Sequence, residues 1–193
     1  GYEGFLLFSE YERRFEDSLE FYKQYFDAAN CLGASIVVLH GQRDYANAGI
    51  SEETYFERYA ALYALGQRYG VTVAQENVNK FRSESPGFLR RMRAYLGDTC
   101  AFVIDLKQAV RAGQDPFAVC EAMGERIVHV HINANAPGYD CLLPGRGIVD
   151  FQRFREMLLG FHYQGDLMIE VYRKNFSALS ELQEARDVVQ QLV

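Results

Sequence analysis

Ala101-Phe102-Val103-Ile104-Asp105 decides the reading of this chain: four apolar residues running straight into one carboxylate. A short apolar run of this length reads as a fully buried strand. Four other runs repeat the pattern. Upstream, Val71-Thr72-Val73-Ala74-Gln75 meets Glu76, and Ser35-Ile36-Val37-Val38-Leu39 meets His40. Downstream, Ile127-Val128-His129-Val130 meets His131, and Leu167-Met168-Ile169 meets Glu170. Successive runs lie roughly 25 to 40 residues apart, room for one strand, one helix and two loops. In a parallel sheet every strand ends on the same face, so these five side chains would gather in one place. Two Glu, one Asp and one or two His at the mouth of a barrel would form a divalent metal site.

The intervening segments read as helices. From Glu10 to Leu32, Phe15, Leu19, Tyr22, Phe26 and Ala29 recur on one helical face, and Gly33 supplies the stop. Ser51 caps a helix with Glu52 and Glu53 in its first turn, suited to the positive end of the helix dipole, and Gly70 ends it. Ser85-Pro86 and Asp115-Pro116 open two more, which close at Gly97 and near Gly124. Asp150 caps another, after a loop containing Pro137, Gly138, Pro144, Gly145 and Gly147. The last strand is expected over Asp166–Val171. The closing helix runs from about Ser177, with Leu182, Ala185, Val188, Val189 and Leu192 inward. Alternating strand and helix means a parallel α/β fold, with the helices on one side of a curling sheet.

Composition narrows the function. Apolar residues make up 49% of the chain, enough for a single well-buried core in 193 residues. A formal charge of −6 without a basic cluster argues against duplex nucleic acid, whose binding rests on neutralised phosphates. No apolar run is long enough to span a bilayer, and there is no secretory leader, so the chain reads as cytoplasmic. Cys31, Cys100, Cys120 and Cys141 have no metal-ribbon or redox-pair spacing and read as reduced thiols, Cys31 and Cys120 within helices where a buried thiol acts as a small hydrophobe.

Leu32-Gly33-Ala34 before Val37-Val38-Leu39-His40-Gly41, then Ala74-Gln75-Glu76-Asn77 and Val103-Ile104-Asp105, carry a family likeness. It continues through His129-Val130-His131-Ile132, Pro144-Gly145-Arg146-Gly147-Ile148-Val149-Asp150-Phe151 and Ile169-Glu170-Val171. In order and spacing the whole chain resembles the xylose isomerase-like TIM barrels, a superfamily of sugar isomerases, epimerases and related dehydratases. The resemblance places the five strands as strands four to eight of a (β/α) barrel, with the first three βα units missing. Residues 1–193 then form one domain, truncated at the N-terminus, and Gly1-Tyr2-Glu3-Gly4 reads as a tag scar or the start of such a truncation. Roughly 60 to 90 further residues would be expected ahead of it. Alone, the unpaired edges at Ile36–His40 and Leu167–Val171 would favour association into a homo-oligomer.

The resemblance also implies a ligand set: Glu76, Asp105, His131 and Glu170 holding one divalent ion. Mn²⁺ is favoured, with Co²⁺, Mg²⁺ or Zn²⁺ as alternatives. It implies a small sugar or polyol-derived substrate and proton transfer beside a carbonyl through an enediolate, with Glu76 and Glu170 as the catalytic acid/base pair in either order. The expected function is therefore a metal-dependent sugar isomerase or epimerase. An inosose- or dehydroshikimate-type dehydratase on the same metal is one alternative, and a non-catalytic sugar- or partner-binding half-barrel the other.

The sugar-contacting positions depart from the epimerase-like pattern. Gln108 stands where many members place a His after the metal Asp, Pro137 replaces an Arg, and His131-Ile132 leads to Asn133-Ala134-Asn135 instead of the usual Asp. Substrate contacts are expected from His40, Gln108, Arg146 and Arg173. His40 can equally be a structural histidine, and Arg173 and Lys174 either bind an anionic group or are solvated. His129 is expected outward or in the wall, and His162 at the surface.

Overall fold

The computed structural model describes residues 6–44 and 49–191; Gly1 to Gly4 and Leu192 lie outside them. Five strands form one all-parallel sheet: β1 (Ile36–Leu39), β2 (Thr72–Glu76), β3 (Phe102–Asp105), β4 (Ile127–Ile132) and, reached after an intervening hairpin, β7 (Leu167–Ile169). They pair in that order, each with its neighbour, as an open half-barrel. Helices alternate with them: α1 (Glu12–Leu32), α2 (Glu52–Arg68), α3 (Pro86–Leu96), α4 (Leu106–Arg111), α5 (Pro116–Met123), α6 (Phe151–Gly160) and α7 (Leu179–Gln190).

The helix ends follow their capping residues. Ser51 Oγ accepts from the Thr54 amide at 3.1 Å, Ser85 Oγ from Phe88, Asp115 from Phe117 and Asp150 from Arg153, which satisfies donors a helix leaves open in its first turn. At the far end of α1, Gly33 takes φ 71°, and the amides of Gly33 and Ala34 fold back to Asn30 and Ala29.

The two faces of the sheet are chemically different. Toward the helices, Val37, Leu39, Val73, Phe102, Ile104, Val130 and Ile132 join one large core with Tyr22, Phe26, Tyr59, Leu62, Leu89, Met92 and Phe154. Toward the concave side, the small residues Ala74, Ala101 and Val103 cluster with Ile36 and Val128. The β3–β4 pairing shifts register between Phe102 and Val103, and from there Val103 pairs with His129 and Asp105 with His131. Tyr and Phe serve this core: Tyr55, Tyr59, Phe26 and Phe102 are fully buried.

Three expectations need correction. The stretch read as an open loop contains an antiparallel hairpin, β5 (Ala134–Ala136) and β6 (Tyr139–Leu142). Its tip is Pro137-Gly138, with Gly138 at φ 81°, the positive φ that the third position of a type II turn requires and the Pro-then-Gly order it favours. Strands of three and four residues have too little alternation to be legible beforehand. The short helix α4, directly after β3, was likewise not expected. Cys31 does lie in α1 but is exposed, whereas Cys100, Cys120 and Cys141 are buried, and all four are free thiols. No helix among the described residues is long and apolar enough to cross a membrane.

Tyr59 is the joint between α2 and the sheet. Its hydroxyl donates to the Val73 carbonyl at 2.7 Å and accepts from the Ala101 amide at 3.1 Å, so one buried group satisfies two strands. Tyr59→Phe leaves a buried carbonyl and amide without that partner. The expected cost is about 1–3 kcal/mol, read as a lower midpoint in urea or thermal unfolding. An unchanged midpoint would mean that the strands close on each other without Tyr59.

Candidate metal centre

Four strands deliver four ligand-type side chains to one spot. Glu76 is the last residue of β2, Asp105 ends β3, His131 stands near the end of β4, and Glu170 directly follows β7. One ligand atom from each lies within 4.8 Å of all the others; among the described residues this is the only group of three or more His, Cys, Asp or Glu so arranged. His131 Nδ1 sits 3.0 Å from Glu76 Oε1, 3.0 Å from Glu170 Oε2 and 3.9 Å from Asp105 Oδ2.

The surrounding backbone explains how such a cluster is held. Gln75, buried on the helix side, donates to the carbonyls of Leu39, His40 and Glu76 at 2.9–3.0 Å, and its oxygen accepts from Tyr55 at 2.6 Å. It thus ties the end of β1 to the end of β2. Gly41 at φ 86° is required beside it, because a Cβ there would lie 2.2 Å from the Tyr55 hydroxyl. Asn77 pairs with the Asp105 backbone in both directions, donating to its carbonyl at 2.9 Å and accepting from its amide at 2.7 Å. Asp105 Oδ1 caps α4 by accepting from the Gln108 amide, and also accepts from Asn133 at 3.3 Å. That leaves Oδ2 facing the cluster.

Asp105 Oδ2 and Glu170 Oε2 are buried oxygens that lack a hydrogen-bond partner, although the Lys107 ammonium lies 3.1 and 3.0 Å from them. Under-satisfied buried carboxylate oxygens beside an imidazole nitrogen are what a divalent ion's ligand set looks like without the ion. Three carboxylates and one His suit Mn²⁺, Co²⁺ or Zn²⁺. The residues fit the group.

The remaining expected contacts are placed unevenly. His40 Nε2 is 3.1 Å from Glu76 Oε2, with about half of its side chain exposed. Gln108 lies beside the cluster, but its side-chain oxygen accepts from the Asn79 amide at 3.2 Å. Arg146 is drawn to α7 instead, engaging Glu181 and Glu184. Arg173 donates to the Phe176 carbonyl at 2.6 Å and stacks over that ring. His129 is neither outward nor in the wall but stands beside His131: the two rings meet edge to face with centroids 5.2 Å apart, because residues two apart on β4 share one face of the sheet.

The residue the sequence reading missed is Lys107. It is 1% exposed and bridges Asp105 and Glu170. The signal was the Asp105-Leu106-Lys107 spacing. It becomes legible only once α4 is known to start immediately after β3, which turns the third residue back over the strand end.

Proton affinities follow from this crowding. Burial pushes Asp105 up to about 7, helped by its closeness to Glu170 and opposed by Lys107. Contact with His131 holds Glu170 well below the usual carboxylate range, against the effect of burial. Burial raises Glu76 too, but His131 and His40 outweigh it and the net shift is downward. For His131, burial is overcome by Glu170 and Glu76, which raise it to about 9. The metal-free cluster thus holds a proton on His131 at pH 7.

The xylose isomerase-like TIM barrel model matches residues 2–192. An uncharacterized protein of Mycobacterium tuberculosis is 28% identical over 182 aligned residues, covering 80% of this chain. The chain spans 62% of that relative's length. Among solved structures, a D-tagatose 3-epimerase-like protein superposes with TM-score 0.73 at 22% identity, over 95% of this chain and 71% of the other. The IOLI protein, solved with a zinc atom, superposes with TM-score 0.73 at 17% identity, over 97% of this chain and 73% of its own. At these identities the structural likeness speaks for the fold.

A metal can ligate only the neutral imidazole, so binding must expel the His131 proton. At pH 7, Zn²⁺ binding is expected to release at least one proton. Affinity should climb about tenfold per pH unit between pH 7 and 9, more steeply below pH 7 where Asp105 also gives up a proton, and level off above pH 9. Calorimetry in two buffers of different ionisation enthalpy measures the release. A binding enthalpy independent of buffer would contradict it.

Proposed function

Because the chain belongs to the xylose isomerase-like TIM barrel family, we propose that it is a divalent-metal-dependent sugar isomerase or epimerase working by proton transfer beside a carbonyl. The observation that carries this reading is the convergence of Glu76, Asp105, His131 and Glu170 at the ends of four parallel strands. Mn²⁺ is the favoured ion for a set dominated by carboxylate oxygens. When bound, it supplies Lewis-acid polarisation of the substrate carbonyl.

The chain's own residues supply the rest. Glu76 and Glu170 approach the same imidazole from different strands, and in this reading they flank the bound sugar, one on each side. One takes the proton from the carbon next to the carbonyl, giving an enediolate, and the other returns a proton to the opposite face. His40, half exposed and in contact with Glu76, orients that carboxylate and is placed to meet a sugar hydroxyl. Gln108 is fixed through Asn79 at the rim of the same face. Ala74, Ala101 and Val103 form a small buried apolar cluster on the strands that carry Glu76 and Asp105.

A panel of ketoses and inososes in D₂O with Mn²⁺ tests the reading. Deuterium is expected at the carbon next to the carbonyl of the true substrate. Glu76→Gln and Glu170→Gln should each cut that exchange by roughly 10²- to 10⁴-fold, with His40→Ala milder. Metal content is measured in parallel, because both carboxylates are also proposed ligands. Near-normal exchange in both variants contradicts the acid/base assignment. Loss of water from the substrate selects the dehydratase instead, and metal binding with no exchange into any sugar selects a binding protein.

A further inference from the structure

Lys107 is the one strong cation buried within the cluster, and the acid/base chemistry above does not use it. Its ammonium lies 3.1 Å from Asp105 Oδ2 and 3.0 Å from Glu170 Oε2. Both oxygens also face His131 Nδ1, at 3.9 and 3.0 Å, as does Glu76 Oε1 at 3.0 Å. The lysine and a metal would therefore draw on the same lone pairs. A metal bonded to both oxygens at about 2.1 Å would stand within a few ångströms of a positive charge in a half-buried site, where like charges repel strongly.

We propose that Lys107 is the resident counter-cation of this centre: its ammonium bridges Asp105 and Glu170 in the metal-free protein, and a divalent ion loads by drawing those two oxygens away from it. The proposal rests on the reading that Glu76, Asp105, His131 and Glu170 bind a metal. The Tyr172 ring, its centroid 5.1 Å from the ammonium, gives the displaced charge a second seat through its negative face. That ring is itself fixed, because Arg111 stacks on it and donates to its hydroxyl at 2.6 Å. Charge balance supports the exchange. Three carboxylates, one ammonium and one divalent ion sum to zero, whereas in the metal-free protein Lys107 is the cation that bridges Asp105 and Glu170. Lys107 is thus a positioning residue that sets a threshold: only an ion held more tightly than the ammonium occupies the site.

The test is a Zn²⁺ titration against a chromogenic chelator, comparing the metal-stripped wild type with Lys107→Met and Lys107→Gln. Removing the competing charge is expected to tighten Zn²⁺ binding about tenfold or more, while the metal-free variants melt at a lower temperature than the metal-free wild type. A purely structural lysine would instead weaken both properties. Equal or weaker Zn²⁺ binding in the variants overturns the proposal. If neither variant folds, crystal structures of the wild type with and without Zn²⁺ decide it. The ammonium should leave hydrogen-bonding distance of at least one of the two oxygens on loading, and an unchanged bridge overturns the idea. A wild type that binds no Zn²⁺ at all overturns the metal reading itself, and this one with it.

Discussion

Three carboxylates brought together at the ends of parallel strands repel one another, and the rest of the site is arranged around that repulsion. Burying Glu76 and Asp105 beside Glu170 is tolerable only if positive charge is supplied at short range. Lys107 and His131 supply it here, at 3.0–3.1 Å from the oxygens concerned. The same repulsion that makes the cluster costly for the metal-free chain makes it a strong trap for a divalent ion. Stability and function thus pull on one set of atoms, a common condition at functional sites.

Such a cluster needs a rigid frame, and the frame is polar as well as apolar. The large core fixes the helices against one side of the sheet. The strand ends, where backbone groups would otherwise open to solvent, are closed by Gln75, Asn77 and Tyr55. These side chains occupy the positions immediately around the ligands and satisfy the local backbone, so the backbone groups at the strand ends do not compete for the ligand atoms. Asp105 shows the division of labour within one carboxylate: Oδ1 caps α4 and Oδ2 faces the site. A helix cap and a ligand are therefore not competing readings of that residue.

The strands and the long helices were legible because each carries its own local signal. Apolar runs ended on Glu76, Asp105, His131 and Glu170, and Ser51, Ser85, Asp115 and Asp150 marked helix starts by their own chemistry. The convergence of the four side chains followed from parallel topology alone. What stayed hidden depended on short elements and on long-range pairing. The β5–β6 hairpin has too few residues for a pattern. Helix α4 spans only Leu106–Arg111, so nothing in the sequence turned Lys107 toward Glu170, more than sixty positions away. Arg146 looked available in a glycine-rich loop, and only the fold showed Glu181 and Glu184 beside it. His129 was misplaced although alternation already put it on the face of His131, two positions along the same strand.

The central claim is that these four side chains form one metal site, and anomalous diffraction from crystals grown with Mn²⁺ tests it most directly. The account predicts one anomalous peak about 2.0–2.5 Å from ligand atoms of Glu76, Asp105, His131 and Glu170 together. Crystals with no peak there, and with His131 and Lys107 still bridging the three carboxylates at saturating metal, would contradict it.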